Sequence, residues 1–186
     1  MDILVGVLGL LGMLALTAGT FVCVAGEFSL TALERSTVDA HLQQVGDRRA
    51  QQVKQAHSTL SFQLSGAQVG ITITTLLTGY IAQPVIGDLI RPVLVAAGFP
   101  AGAVGGVSIG LALALATALS MVFGELVPKN LAIARPLQTA RQVAGILNAF
   151  STMFRWLIEG LNGSANWIVR RLGIEPAEDL RSARSP

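Results

Sequence analysis

The stretch "AGAVGGVSIGLALALATALSMVFGELVPKN" runs from Ala101 to Asn130. Its first 24 residues carry no charge, and the uncharged run reaches back to Pro92, 33 positions in all. A helix rises 1.5 Å per residue, so roughly 20 apolar residues cross a hydrocarbon core. The run then ends within six residues in a carboxylate, Glu125, a helix breaker, Pro128, and an ammonium, Lys129. The spacing predicts a spanning helix over 101–123 that stops where the bilayer stops.

Working outward, the same pattern recurs. Ile3 to Gly26 is 24 residues without a charge and predicts a spanning helix over 3–27. A signal peptide fits less well, because Asp2 stands where a basic residue belongs and no small-residue cleavage site follows. A second uncharged run, Gln55 to Gly87, starts polar and predicts a helix over 59–83. Between the second and third spans, Pro84, Pro92 and Pro100 leave room only for a short helix.

Composition agrees. Charged residues are 13% of the 186, against about 25% in soluble domains, and hydrophobic residues are 52%. Mean hydropathy is +0.60. The reading is one all-α membrane domain over 1–136. A net charge of +2 with no basic, aromatic-interleaved face argues against a nucleic-acid partner. A single cysteine, Cys23, excludes an internal disulfide. His41 and His57, 16 apart, show no metal spacing. No phosphate loop or nucleophile–base pattern points to an enzyme.

Basic residues set the orientation. Arg35, Arg48, Arg49 and Lys54 follow the first span, Arg91 alone follows the second, and Lys129, Arg135 and Arg141 follow the third. The N-terminus is therefore expected outside, with loop 34–57 and the C-terminus cytoplasmic in a multi-pass plasma-membrane protein. From 137 to 173, apolar residues such as Ile146, Phe150, Leu157, Leu161 and Ile168 alternate at helical spacing with Asn148, Arg155, Glu159 and Arg170. Trp156, Trp167, Arg170 and Arg171 complete the signature of an amphipathic helix lying along a membrane surface, the alternative being a fourth spanning helix with a snorkelled Arg155. The rest, 174–186, reads as a polar linker toward a soluble part that follows.

Inside a bilayer, small and polar residues hold helices together. Ser61, Ser65, Gln68, Thr72, Thr75 and Gly79 lie on one face of the second span, and Gly102, Gly106 and Gly110 on one face of the third. The first stripe reads either as an ion path or as interhelical hydrogen bonding. Glu27 and Glu125 end the first and third spans at one membrane depth. Pro128 removes the donor that the Gly124 carbonyl would use, so a broken helix with free carbonyls is expected beside Glu125. Hard cations bind oxygens of this kind, and broken helices recur at transporter ion sites.

"VAGEFSLTALERS" (Val24–Ser36), "LSGAQVGITITTLLTGYIAQP" (Leu64–Pro84) and "FGELVPKNLAIARP" (Phe123–Pro136) together resemble the transmembrane domain of the cyclin M/CorC (CNNM, hemolysin-C-like) family. The wording A-x-E-F and Q-x-G-I-T resembles a bacterial subgroup. The resemblance implies three spanning helices, short cytoplasmic helices between the first two, and an amphipathic juxtamembrane helix. It also implies a homodimer, and cytoplasmic CBS domains elsewhere in the full-length chain. In activity it implies Mg²⁺ efflux coupled to Na⁺ through a cytoplasm-facing acidic cavity. The matching ligand positions are Glu27, Gly124 and Glu125, with Gly70 and Thr72 in the second span. Pro128 and Lys129 follow in the motif. Two positions depart from the family pattern. Val24 and Gly26 offer no hydroxyl, and Ile71 and Thr72 stand where asparagines are common. Gln68, Thr72 and Ser29 are then the expected replacement ligands. Thr75 lies beside the cavity, and Lys129 screens it or pairs with Glu125 when no ion is bound. The alternative function is a non-transporting dimeric anchor, or regulatory scaffold, for the CBS domains.

Overall fold

The structure, a computed structural model, describes residues 3–174. The linker expected at 174–186 lies, from 175 on, outside the described residues. The described chain is built of helices, with no strand among its residues. The first, α1 (Ile3–Thr31), leads into a helical hairpin of α2 (Arg35–Val45) and α3 (Arg48–Ser58). Then α4 (Leu60–Ala82) runs on through a widened π turn, Gln83–Gly87, into α5 (Asp88–Ala96). The third long helix begins as α6 (Ala101–Leu119), widens over Ser120–Leu126 and continues as α7 (Val127–Ala134). Two further helices, α8 (Pro136–Met153) and α9 (Arg155–Arg171), complete the fold. Three stretches are long and apolar enough to cross a membrane: Leu4–Thr31, Leu60–Ala96 and Ala101–Ala134. This is a membrane protein.

Pro128 and Pro84 do not end their helices. Pro84 is the second residue of the π turn Gln83–Gly87, and Pro128 is the second residue of α7, directly after the other π turn. The Val127 N–H reaches the Val122 carbonyl, five residues back, so the chain passes the missing proline donor by widening. The broken helix expected at Pro128 is thus a continuous helix with one wide turn. The juxtamembrane helix expected over 137–173 is divided at Phe154, whose φ of −97° and ψ of 20° bend the chain. Its ring lies against Phe150 with centroids 4.7 Å apart.

Two buried clusters hold the fold. Cys23, Leu30, Val38, Val53, Ala67 and Leu147 join α1, the hairpin, α4 and α8. Met13, Ala82, Val85 and Ala116 join the other halves of the spans. Small residues permit the close approach. A Cβ at Gly66 would fall on the Ser151 hydroxyl, which donates to Gln63 Oε1 at 2.9 Å. The hairpin is fastened to α8 by polar contacts. Arg141 makes a two-pronged pair with Asp47 (3.1 and 2.6 Å) and donates to His41 Nε2 at 2.7 Å. Asn148 donates to the Gln52 carbonyl at 3.0 Å. Lys54 and Asp39 pair between α3 and α2.

Candidate ion site at the widened turn

The wide turn at the end of α6 packs against α1. A Cβ at Gly124 would come within 3.3 Å of the Thr20 side chain, so glycine permits this contact without displacement. Thr20 is fully buried, and its hydroxyl lies 2.7 Å from that of Thr74 on α4. Each hydroxyl is also in reach of a carbonyl of its own helix, Leu16 O at 3.1 Å and Gly70 O at 2.8 Å. One proton therefore goes to a carbonyl and the other to the neighbouring hydroxyl. Three spans meet at this point.

Beside it a cleft of about 150 Å³ opens between α4 and the wide turn. Thr75, Thr78 and Gly79 form one wall, and Thr117, Ser120 and Glu125 the other. Every polar side-chain atom on these walls is an oxygen. One carboxylate among hydroxyls is a donor set that suits a hard cation. The Glu125 carboxylate makes no ion pair among the described residues. An unpaired carboxylate at membrane depth is costly and marks a functional site in the absence of a structural partner.

The structure brings Glu125 and Thr75 together in the cleft, sets Gly124 beside it against Thr20 of α1, and places the other expected ligands elsewhere. Glu27 is half-buried on α1 and does not line this cleft. Its backbone carbonyl accepts from Thr31 at 2.8 Å, and its carboxylate pairs with no residue among those described. The Lys129 ammonium lies over the Phe28 ring, 4.7 Å from its centroid, and does not pair with Glu125. Gly70 is buried against the Cys23 sulfur, and its carbonyl is occupied by Thr74. Gln68 and Thr72 are exposed in the single chain, with the Thr72 hydroxyl donating to the Gln68 carbonyl at 2.9 Å. Ser29 is buried and donates to Gly26 O at 3.3 Å. Pro128 is buried at the head of α7. Thr20, Thr74 and Thr78 were not singled out by the sequence, although Thr20 meets both Gly124 and Thr74, and Thr78 lines the cleft.

Among the described residues no three His, Cys, Asp or Glu side chains gather into a cluster. A cation here would rest on one carboxylate with neutral oxygens and water, as Mg²⁺ commonly does.

Comparison with known proteins agrees with this architecture. Residues 11–185 match the family described as "Cyclin M transmembrane N-terminal domain". The chain is 58% identical over 177 residues to UPF0053 protein MT1890 of Mycobacterium tuberculosis, covering 95% of this chain and 39% of that protein. It is 34% identical over 183 residues to UPF0053 protein YhdT of Bacillus subtilis, covering 98% of this chain and 38% of that one. It is 33% identical to the uncharacterized protein MT1889 of Mycobacterium tuberculosis over 185 residues, covering 51% of that relative. The chain thus spans between about two-fifths and half the length of these relatives. With the family match running through all three spans, the wide turn and the two helices that follow, this chain is a membrane domain that belongs to the cyclin M transmembrane family.

Proposed function

We propose that the domain moves a hard divalent cation, Mg²⁺, out of the cytoplasm, with Na⁺ as the coupling ion, and is a carrier, not an enzyme. The observation that carries this reading is the unpaired Glu125 carboxylate in an oxygen-lined cleft where the third span widens. Glu27, outside the cleft and two helical turns beyond the Thr20 that Gly124 meets, adds a second negative charge toward the same end of the bundle. The excess of Lys and Arg after the first and third spans supports a cytoplasmic location for this end of the bundle, with loop 34–57 and the C-terminus. The fitted unit is a homodimer, with CBS domains elsewhere in the full-length chain. The exposed face of α4 carries Gln68, Thr72 and Thr75, and beyond Gly102, Gly106 and Gly110 of α6 lies open space. Polar groups at membrane depth need protein or water against them, and a second copy supplies it.

The test is Mg²⁺ flux into liposomes by the unchanged chain and by Glu125→Gln. In the same preparation a dimer reads as two chains of 19.4 kDa in native mass measurement. Loss of the charged ligand is expected to lower flux by about tenfold or more. Equal flux from both proteins overturns the role of Glu125, and a monomeric mass overturns the dimer.

A further inference from the structure

We infer that Ser120 is a ligand of the same cation, its hydroxyl supplying a neutral oxygen next to the Glu125 carboxylate. This rests on the transport reading above and adds a residue to its site.

The Ser120 hydroxyl is buried and has no hydrogen-bond partner among the described residues. The residue is 6% exposed and is one of those that line the cleft, with its hydroxyl oxygen 3.5 Å from where a Cβ on Gly124 would stand. Hydroxyls in spanning helices ordinarily fold back on the carbonyl four residues earlier. Thr17, Thr72, Thr74 and Thr78 all do so here, at 2.8 to 2.9 Å. Ser120 does not, and it is the first residue of the wide turn. A buried hydroxyl left unsatisfied is destabilising, so it calls for a partner beyond the described residues of the single chain.

The wide turn also accounts for Ser120 and Glu125 lining one cleft. In a regular α-helix, residues five apart point about 140° away from one another. Bonding from i to i+5 brings them close to one face, and both line one cleft. Across the cleft stand Thr75 and Thr78. The Thr78 proton is directed to the Thr74 carbonyl at 2.8 Å, which leaves the oxygen's lone pairs free to face a cation. One carboxylate, neutral hydroxyls and space for several waters are the ligand set of a cation that retains part of its hydration.

The experiment uses Mg²⁺ itself as the probe, with calorimetric affinity and thermal unfolding of the detergent-solubilised chain, of Ser120→Ala and of Ser120→Thr. Without ion, Ser120→Ala should melt at the same temperature or higher, because it removes an unsatisfied group. Its Mg²⁺ affinity should fall about five- to tenfold, while Ser120→Thr, which keeps the hydroxyl, stays within about twofold. Unchanged affinity in Ser120→Ala overturns this inference alone. A lower ion-free melting temperature in Ser120→Ala shows that the hydroxyl is structural and also overturns it. Failure of the unchanged chain to bind Mg²⁺ overturns the transport reading and this inference together.

Discussion

A Cβ placed on Gly70 would stand 2.5 Å from the Cys23 sulfur, inside any real carbon–sulfur contact. Both residues are buried where α1 crosses α4. Gly70→Ala is therefore expected to destabilise the chain by about 1–3 kcal/mol, the usual range for overpacking. Cys23→Ala removes the obstructing atom. The double variant should recover most of the loss, read as a coupling in a double-mutant cycle of melting temperatures. Additive losses would show that the contact is not what limits position 70. This pair was half legible in the sequence. A small residue at 70 signals close approach, but nothing in the spacing says to what. The same limit governs the second span as a whole. Its polar and small residues form two stripes, Ser61–Ser65–Gln68–Thr72–Thr75 and Gln63–Ala67–Gly70–Thr74–Thr78. Both have helical period, so period alone cannot choose between them. The structure buries the second stripe against α1 and exposes most of the first in the single chain. Thr75 was found because it belongs to both the stripe and the cleft, and Glu125 because it is the carboxylate that ends the third apolar run. Ser120 could not be singled out from the sequence, since an unmet hydrogen bond is a property of geometry.

At the scale of the element, the wide turn shows what sequence rules can and cannot resolve. Proline at 128 predicts the loss of one backbone bond, and that loss is real. Whether the chain answers by stopping or by widening depends on what packs around it, here Thr20 and Phe28 of α1. The division at Phe154 was likewise hidden, because apolar spacing continues unbroken across the bend. The fastening of α8 to the hairpin depends on residues nearly a hundred positions apart, Arg141 and Asp47, for which no spacing signal exists. It carries a pH dependence whose sign can be worked out. The Arg141 guanidinium, and then the Ala50 N–H, hold the Asp47 carboxyl below the usual aspartate range. Lys54 does the same for Asp39. A depressed carboxyl contributes stability that is complete above its ordinary pKa, about 3.9, and is lost as the pH falls through the lowered one. Both carboxyls face solvent, so screening keeps the effect small. Amide hydrogen exchange in α2 and α3 should accelerate as the pH drops below about 4, after correction for the intrinsic rate. In Arg141→Met the hairpin should exchange faster at neutral pH and change less on acidification. A hairpin equally protected in both proteins at neutral pH would show that the pair does not hold it.

For the whole molecule, three apolar spans and their order were legible because a bilayer imposes a length and a lack of charge that few other constraints mimic. What stands outside the bilayer is decided by weaker forces, and α9 is the test of them. Only Ile158 of this helix is buried, while Trp156, Leu161, Trp167, Ile168 and Leu172 are all exposed. Arg155 lies over the Phe62 ring of α4 and within 3.6 Å of Glu159. An apolar face this open, ending in Arg170 and Arg171, fits the boundary between headgroups and acyl chains. The chain has two tryptophans, and both are in α9. Intrinsic fluorescence in vesicles therefore reports this helix and nothing else. Lipids with a quencher near the headgroup should quench it more strongly than lipids quenched near the bilayer centre. The emission should also be bluer in the vesicles than in unfolded chain. Stronger quenching from the bilayer centre would make α9 a spanning or deeply inserted helix. Insensitivity to both lipids would place its tryptophans against protein, with a second copy or a soluble domain covering the face that the single chain leaves open.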